Sequence, residues 1–153
     1  SSERRLYIPM GFCSHKIIST NLNYIIPHGT IYEFGMLSSL LHNDWVRLVA
    51  GRLKSDYRYS ATIVYNTFPW PEVTDVQRQE IERLAEEVLL TRAEFSGKTL
   101  ANLYDPDKMP AALLAAHQAL DRAVDRLYRD RPFKDAGERL SCLLARYEAL
   151  VGN

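Results

Sequence analysis

Gly51-Arg52-Leu53-Lys54-Ser55-Asp56-Tyr57-Arg58-Tyr59-Ser60, followed after five intervening residues by Asn66-Thr67-Phe68-Pro69-Trp70-Pro71, is the stretch on which the fold reading turns. Its first part reads as an extended ribbon. Tyr59 to Tyr65 then alternates Tyr, Ala, Ile and Tyr with Ser, Thr and Val, which favours a strand buried on one face. Phe68-Pro69-Trp70-Pro71 can continue neither a helix nor a central strand, because its prolines lack backbone donors, so it marks a module boundary.

Upstream of that boundary, short β-rich runs at Leu6-Tyr7-Ile8-Pro9-Met10 and Lys16-Ile17-Ile18-Ser19-Thr20 are separated by turn residues. Asn21-Leu22-Asn23 reads as a turn or bulge, and Tyr24-Ile25-Ile26 resumes an extended run before Pro27. Beyond Gly29, Leu37, Leu40, Leu41, Trp45, Leu48 and Val49 fall at helical spacing. Ser38 or Ser39 suits the cap of that helix, and Gly51 suits the position just past its end.

Downstream the pattern is helical. Thr74 with Gln77 forms a capping box ahead of an apolar stripe at Ile81, Leu84, Ala85, Val88 and Leu89, which Ser96-Gly97 stops. Pro110 opens a second helix with the stripe Leu113, His117, Leu120, Val124 and Leu127. Asp135 with Glu138 opens a third, carrying Leu140, Leu143, Leu144, Tyr147 and Leu150. The expected fold is therefore α+β. A small mixed strand/helix module over 1–71 precedes an antiparallel bundle of about three helices over 72–153.

Composition supports two modules. The chain of 153 residues has an apolar fraction of 46% and a charged fraction of 25%, ordinary for a globular protein. Its net charge of zero conceals an asymmetry. Residues 1–71 carry seven Lys/Arg against four Asp/Glu, and residues 72–153 carry twelve against fifteen, so the halves stand at +3 and −3. Eleven of the sixteen aromatic residues lie in the first half. A mildly basic, aromatic-rich half suits a groove-reading piece of a protein whose other parts hold most phosphate contacts. No apolar run is long enough to span a membrane, and Ser1-Ser2-Glu3-Arg4-Arg5 lacks the pattern of a signal peptide. The start without Met suggests a chain that begins inside a longer protein. Cys13 and Cys142 are far apart with no CxxC spacing, as expected of reduced thiols in a cytoplasmic protein.

The chemistry-bearing candidate is the alternation Lys54, Asp56 and Arg58. On an extended segment these side chains share one face. Lysine and arginine donate to guanine O6 and N7, and aspartate accepts from cytosine N4, so a Lys54–Asp56 couple can read both halves of a G·C pair. From spacing alone the same charges also read as a solvated strand face with an internal ion pair worth little. His15, His28, His42 and His117 form no metal-ligand spacing and no nucleophile–base arrangement. His117 sits on an apolar stripe, where a satisfied core histidine is the simpler reading. Arg122, Arg126 and Arg129 can reach phosphates, yet interleaved Asp121, Asp125 and Asp130 favour a salt-bridged solvent face.

The words Gly51-Arg52-Leu53-x-x-x-x-Arg58-Tyr59-Ser60 and Asn66-x-Phe68-Pro69-Trp70-Pro71 resemble the end of the target recognition domain in single-chain restriction–methylation enzymes of the MmeI type. Leu103-Tyr104-Asp105-Pro106 and Ala116-His117-Gln118-Ala119-Leu120-Asp121 are similar to the helical domain after it. The resemblance implies a bacterial DNA-recognition fragment, non-catalytic by itself. Its upstream parent would be an adenine-N6 methyltransferase using S-adenosylmethionine, and enzymes of this type also place a nuclease upstream. It implies that Lys54 and Asp56 discriminate one base pair, while Arg58, Leu22, Asn21 and Asn23 match other reading positions. Duplex DNA and the upstream methyltransferase domain are the implied partners. No cofactor or metal is expected in this fragment, which carries no glycine-rich loop for S-adenosylmethionine and no Asn-Pro-Pro-aromatic loop. A competing expectation is a helical protein–protein interaction module with no DNA role.

Overall fold

A computed structural model describes residues 4–14, 16, 24–53 and 56–152. Helix α1 (Ile31–Leu37) opens with a complete capping box between Thr30 and Glu33. Helix α2 (Leu40–Val49) begins after a break at Ser38 and Ser39. The apolar spacing that reads as one helix is thus divided in two. The Ser39 hydroxyl explains the division, since it donates to Met36 O at 2.6 Å and accepts from His42 N at 3.2 Å. One side chain closes the first helix and caps the second.

Strands β1 (Gly51–Leu53) and β2 (Asp56–Arg58) pair antiparallel, with Leu53 opposite Asp56. A π-helical turn over Ala61–Tyr65 comes next. Helix α3 (Asp75–Ala93) carries the Thr74–Gln77 capping box, and the short α4 (Leu100–Leu103) is capped by Thr99. Helix α5 (Ala111–Tyr128) begins just after Pro110. Helix α6 (Ala136–Val151) is capped by the Asp135 side chain, which accepts from Glu138 N.

The α+β expectation is overturned. Among the described residues the chain is built from helices and one short hairpin, and no mixed strand/helix module is seen. Among the described residues, extended pairing is confined to the three-residue strands of one hairpin. The Tyr59–Tyr65 alternation mimics a strand, but a strand needs a ladder partner for its backbone groups. Here Val64 N donates back to Ser60 O at 2.7 Å, while Val64 O accepts from Trp45 Nε1 at 3.3 Å, and the segment coils.

The Leu6–Met10 run is satisfied in another way. Leu6 O accepts from the Asn43 amide, and Met10 O accepts from Arg92 Nη1 at 2.7 Å. Helix side chains occupy the places a neighbouring strand would fill. Tyr24, Ile25 and Ile26 form no strand, while Gly51 stands just past the end of α2 as expected, after the cap Ala50, and there opens β1. The run from Lys16 to Thr20 lies almost entirely outside the described residues.

The expected bundle also differs in its partners. Helix α3 packs against both α5 and α1, and α2 lies on α6. One continuous core therefore joins Tyr7, Trp45 and Val64 to Ile81, Leu120, Val124 and Leu143. Leu143 is the buried residue of α6, whereas Leu144 and Leu150, expected on the same apolar stripe, are exposed. Among the described residues, no helix is long and apolar enough to cross a membrane.

The α1–α3 contact depends on Gly35. A Cβ there would stand 2.9 Å from Ile81 Cγ2 and 3.1 Å from Ala85 Cβ, in a well-packed interior. Alanine would gain up to about 1 kcal/mol in helix propensity, but separating the helices costs about 1–3 kcal/mol. Gly35→Ala is expected to be net destabilising in urea unfolding. A more stable variant would show that the two helices can part at no cost.

Candidate nucleic-acid interface

The hairpin β1–β2 is small, and its position is set by its neighbours in the chain. Asp56 and Arg58 occupy alternate positions of β2, opposite Leu53 and Gly51. Lys54, which falls between the two strands, lies outside the described residues, as do Asn21, Leu22 and Asn23. The structure thus places Asp56 and Arg58 on one strand, and it does not describe the other expected reading positions.

Directly after β2, Tyr59 turns into the interior. Its hydroxyl shares a hydrogen bond of 3.2 Å with Nε2 of His42, a fully buried residue of α2. The His42 ring also meets the edge of Phe68, with ring centroids 4.7 Å apart. Phe68 in turn packs against Trp45 and Trp70. The carbonyl of Pro69 accepts from the buried Tyr128 hydroxyl at 2.9 Å. The first word is therefore fixed to α2 through Tyr59 and His42, and the second to α2 through Phe68 and to α5 through the Pro69 carbonyl.

Burial governs the titration of these groups. Desolvation lowers the His42 imidazole from 6.5 to about 3, so it is neutral at physiological pH. Desolvation likewise raises the Tyr59 phenol, which stays protonated and able to donate.

A second buried polar cluster joins the N-terminal segment to α5. Tyr7 donates to Asp121 Oδ2 at 2.5 Å, and the backbone N–H of Leu40 donates to Asp121 Oδ1 at 2.8 Å. The Tyr7 ring stacks on His117 at 4.2 Å, and His117 Nε2 pairs with the Tyr104 hydroxyl at 2.7 Å. Desolvation lowers His117 to about 3 and raises Asp121 to about 6, the latter despite its two donors.

The expected salt-bridged solvent face on α5 is corrected in part: Arg122, Arg126 and Asp130 are exposed, but Asp121 and Asp125 are not. Asp121 is buried, and Asp125 is drawn inward to Arg139 of α6, whose Nη2 lies 3.0 Å from Asp125 Oδ2. Arg139 also reaches the buried Asp44 of α2 at 3.5 Å, so one cation ties α2, α5 and α6 together. Arg129 is equally engaged, with Glu138 at 2.7 Å and with the carbonyls of Arg131 and Pro132.

Tyr32, Glu33, Tyr65, Trp70 and Arg78 line an open cleft of about 290 Å³. The Arg78 guanidinium already covers the Tyr32 ring at 4.2 Å, so the chain supplies its own cation to that aromatic face. Cys13 and Cys142 are free thiols. Among the described residues, no three His, Cys, Asp or Glu side chains are grouped to hold a metal ion.

Sequence reasoning did not single out His42 or Asp121. His42 belongs to no motif, and its one legible signal was its place beside Leu41 and Trp45 in an amphipathic helix. Asp121 was disguised by its alternation with arginines.

The family model described as "MmeI, target recognition domain" matches residues 1–72, and that described as "MmeI, C-terminal domain" matches residues 73–153. The chain is 49% identical over 151 residues to DNA methyltransferase A of Bacillus subtilis (strain 168), covering 99% of this chain and 17% of that protein. It superposes over its whole length, at a TM-score of 0.96 and 44% identity, on 20% of the chain of the Type IIL restriction–modification enzyme MmeI solved in complex with DNA. The chain thus spans about one-fifth or less of the length of each of these relatives.

Proposed function

Because the chain belongs to the MmeI family, we propose that it is the DNA-sequence-recognition part of a type II restriction–modification enzyme. The observation that carries this reading is the whole-length likeness to an enzyme solved on DNA. Residues 1–71 are the end of the target recognition domain and residues 72–153 the helical domain that supports it. The parent enzyme transfers a methyl group to adenine N6 of a specific site in duplex DNA, in the bacterial cytoplasm. S-adenosylmethionine supplies that group in the upstream methyltransferase domain. The present residues do not fit the cofactor, since the sequence has no glycine-rich loop to hold it.

Lys54 and Asp56 read one G·C pair of the site, with Lys54 donating to guanine and Asp56 accepting from the paired cytosine. Arg58, Asn21, Leu22 and Asn23 serve other reading positions. This assignment is supported by the place of Asp56 and Arg58 on a hairpin whose exit is hydrogen-bonded to the buried His42 of α2.

Reversing the charges, Lys54→Glu with Asp56→Arg, would set an acceptor against the acceptors of guanine. The expected outcome is a preference for the flipped C·G pair at that position, by about 1–3 kcal/mol or one to two decades. Methylating a randomised-site DNA library with both forms of the full-length enzyme, then sequencing the modified sites, measures it. Identical base preferences would remove these residues from the reading set. Duplex binding should also weaken with salt, because each neutralised phosphate releases counterions with a log–log slope of about −0.9. A helical interaction module without a DNA role would show no such slope.

A further inference from the structure

The two sequence words that carry the family likeness meet at one buried ring. Tyr59, from the first word, directly succeeds β2 and places its hydroxyl 3.2 Å from His42 Nε2. Phe68, from the second word, sets its ring against the same imidazole at 4.7 Å, nearly perpendicular at 88°. His42 is completely buried in α2. Its other ring nitrogen, Nδ1, has no hydrogen-bond partner among the described residues, so the Tyr59 hydroxyl is the polar contact that holds the imidazole in its plane. On its outer side, the Tyr59 ring is met by Tyr24, with centroids 5.8 Å apart.

The hairpin itself has little with which to hold its own position. It is two strands of three residues, and an isolated two-stranded hairpin of that size is marginal in water. Its entry is fixed by the end of α2, where Ala50 N bonds to Val46 O at 2.9 Å immediately before Gly51. At its exit, the Tyr59 side chain reaches back to the same helix. Both ends of the hairpin are thereby tied to α2. A shift at the Tyr59 end would tilt β2, and a base-reading strand loses discrimination when its side chains move by even a fraction of a hydrogen-bond length.

We infer that Tyr59 and His42 are positioning residues for base readout, which hold the exit of β2 to α2 and so set the angle at which the hairpin meets the DNA. The inference rests on the proposed role of the hairpin. It adds two residues that touch no base and lie outside the expected reading set. It also gives the two words a common physical purpose, since one supplies the hydroxyl and the other the ring that confine the imidazole.

Tyr59→Phe tests it with little disturbance, because the ring contacts with His42 and Tyr24 remain and only the hydroxyl is lost. In the full-length enzyme, sequencing of methylated sites from a randomised library should show discrimination at one site position weakened about three- to tenfold, the order of one net hydrogen bond. The remaining positions should be unchanged. In the 153-residue chain, amide exchange should quicken at residues 51–58 relative to residues 40–49. A lower unfolding midpoint with every base preference intact, or equal exchange in the two segments, overturns the inference.

Lys54→Glu with Asp56→Arg in the same library separates this inference from the reading beneath it. A shift in that variant alone removes the positioning role and keeps the readers. A weakened position in Tyr59→Phe alone keeps the positioned hairpin and replaces Lys54 and Asp56 as its readers. Silence in both removes both assignments.

Discussion

Trp45→Ala is expected to destabilise the folded chain by about 3–5 kcal/mol, the range for deleting a fully buried large aromatic side chain. Trp45 is 1% exposed and lies where α2, α6 and the π-helical turn meet. Its ring packs against Phe68 and against Tyr147 of α6, and its N–H donates to Val64 O at 3.3 Å. Alanine leaves a cavity and an unpaired carbonyl at once. Because folded domains are stable by only about 5–15 kcal/mol, a loss of this size takes a large share of the total. Urea unfolding monitored by circular dichroism measures it, and Trp45→Phe should recover part of the loss by refilling the space without the N–H. A cost below about 1 kcal/mol would mean that α2 and α6 do not share one core.

Acidification from pH 7 to pH 5 should destabilise the chain. His42 and His117 are held near 3 in the folded state against 6.5 when exposed. The unfolded chain therefore takes up two protons that the folded chain refuses. Their contribution is fully present above pH 6.5 and is lost as pH falls from there toward 3, at about 1.4 kcal/mol per unit for each imidazole. By pH 5 this amounts to about 4 kcal/mol for the pair.

Asp121 acts in the opposite sense. Its folded value near 6 lies above the ordinary 3.8, so protonation below pH 6 favours the native state. By pH 5 that returns about 1 kcal/mol. Burial also raises Asp44, which adds in the same direction. The net expectation is a loss of about 2–3 kcal/mol between pH 7 and pH 5. His117→Gln, which cannot titrate, should flatten that slope by about half of the histidine contribution. A chain whose unfolding midpoint is level from pH 7 to pH 5 would place these imidazoles in contact with water.

The sequence by itself determined the helices of the second half, because each is announced locally. Thr74 with Gln77 and Asp135 mark starts that need no distant partner, and the stripes at Ile81, Leu84 and Val88 and at Leu113, Leu120 and Val124 repeat at helical period. It also carried the two words that identify the family. The β-rich appearance of the first half misled, since β-branched and aromatic residues form strands only when ladder partners exist.

Only the tertiary structure decided where those partners lie. Asn43 and Arg92 satisfy the carbonyls of Leu6 and Met10 in place of a neighbouring strand, and Trp45 holds the Val64 carbonyl in a coiled turn. It likewise decided that α2 rests on α6 and α1 on α3, so that the two halves share one core. The burial of His42 and Asp121 was beyond local reading for the same reason. Their partners, Tyr59 and Phe68 for one and Tyr7 and Leu40 for the other, are distant in sequence and meet only when the helices pack.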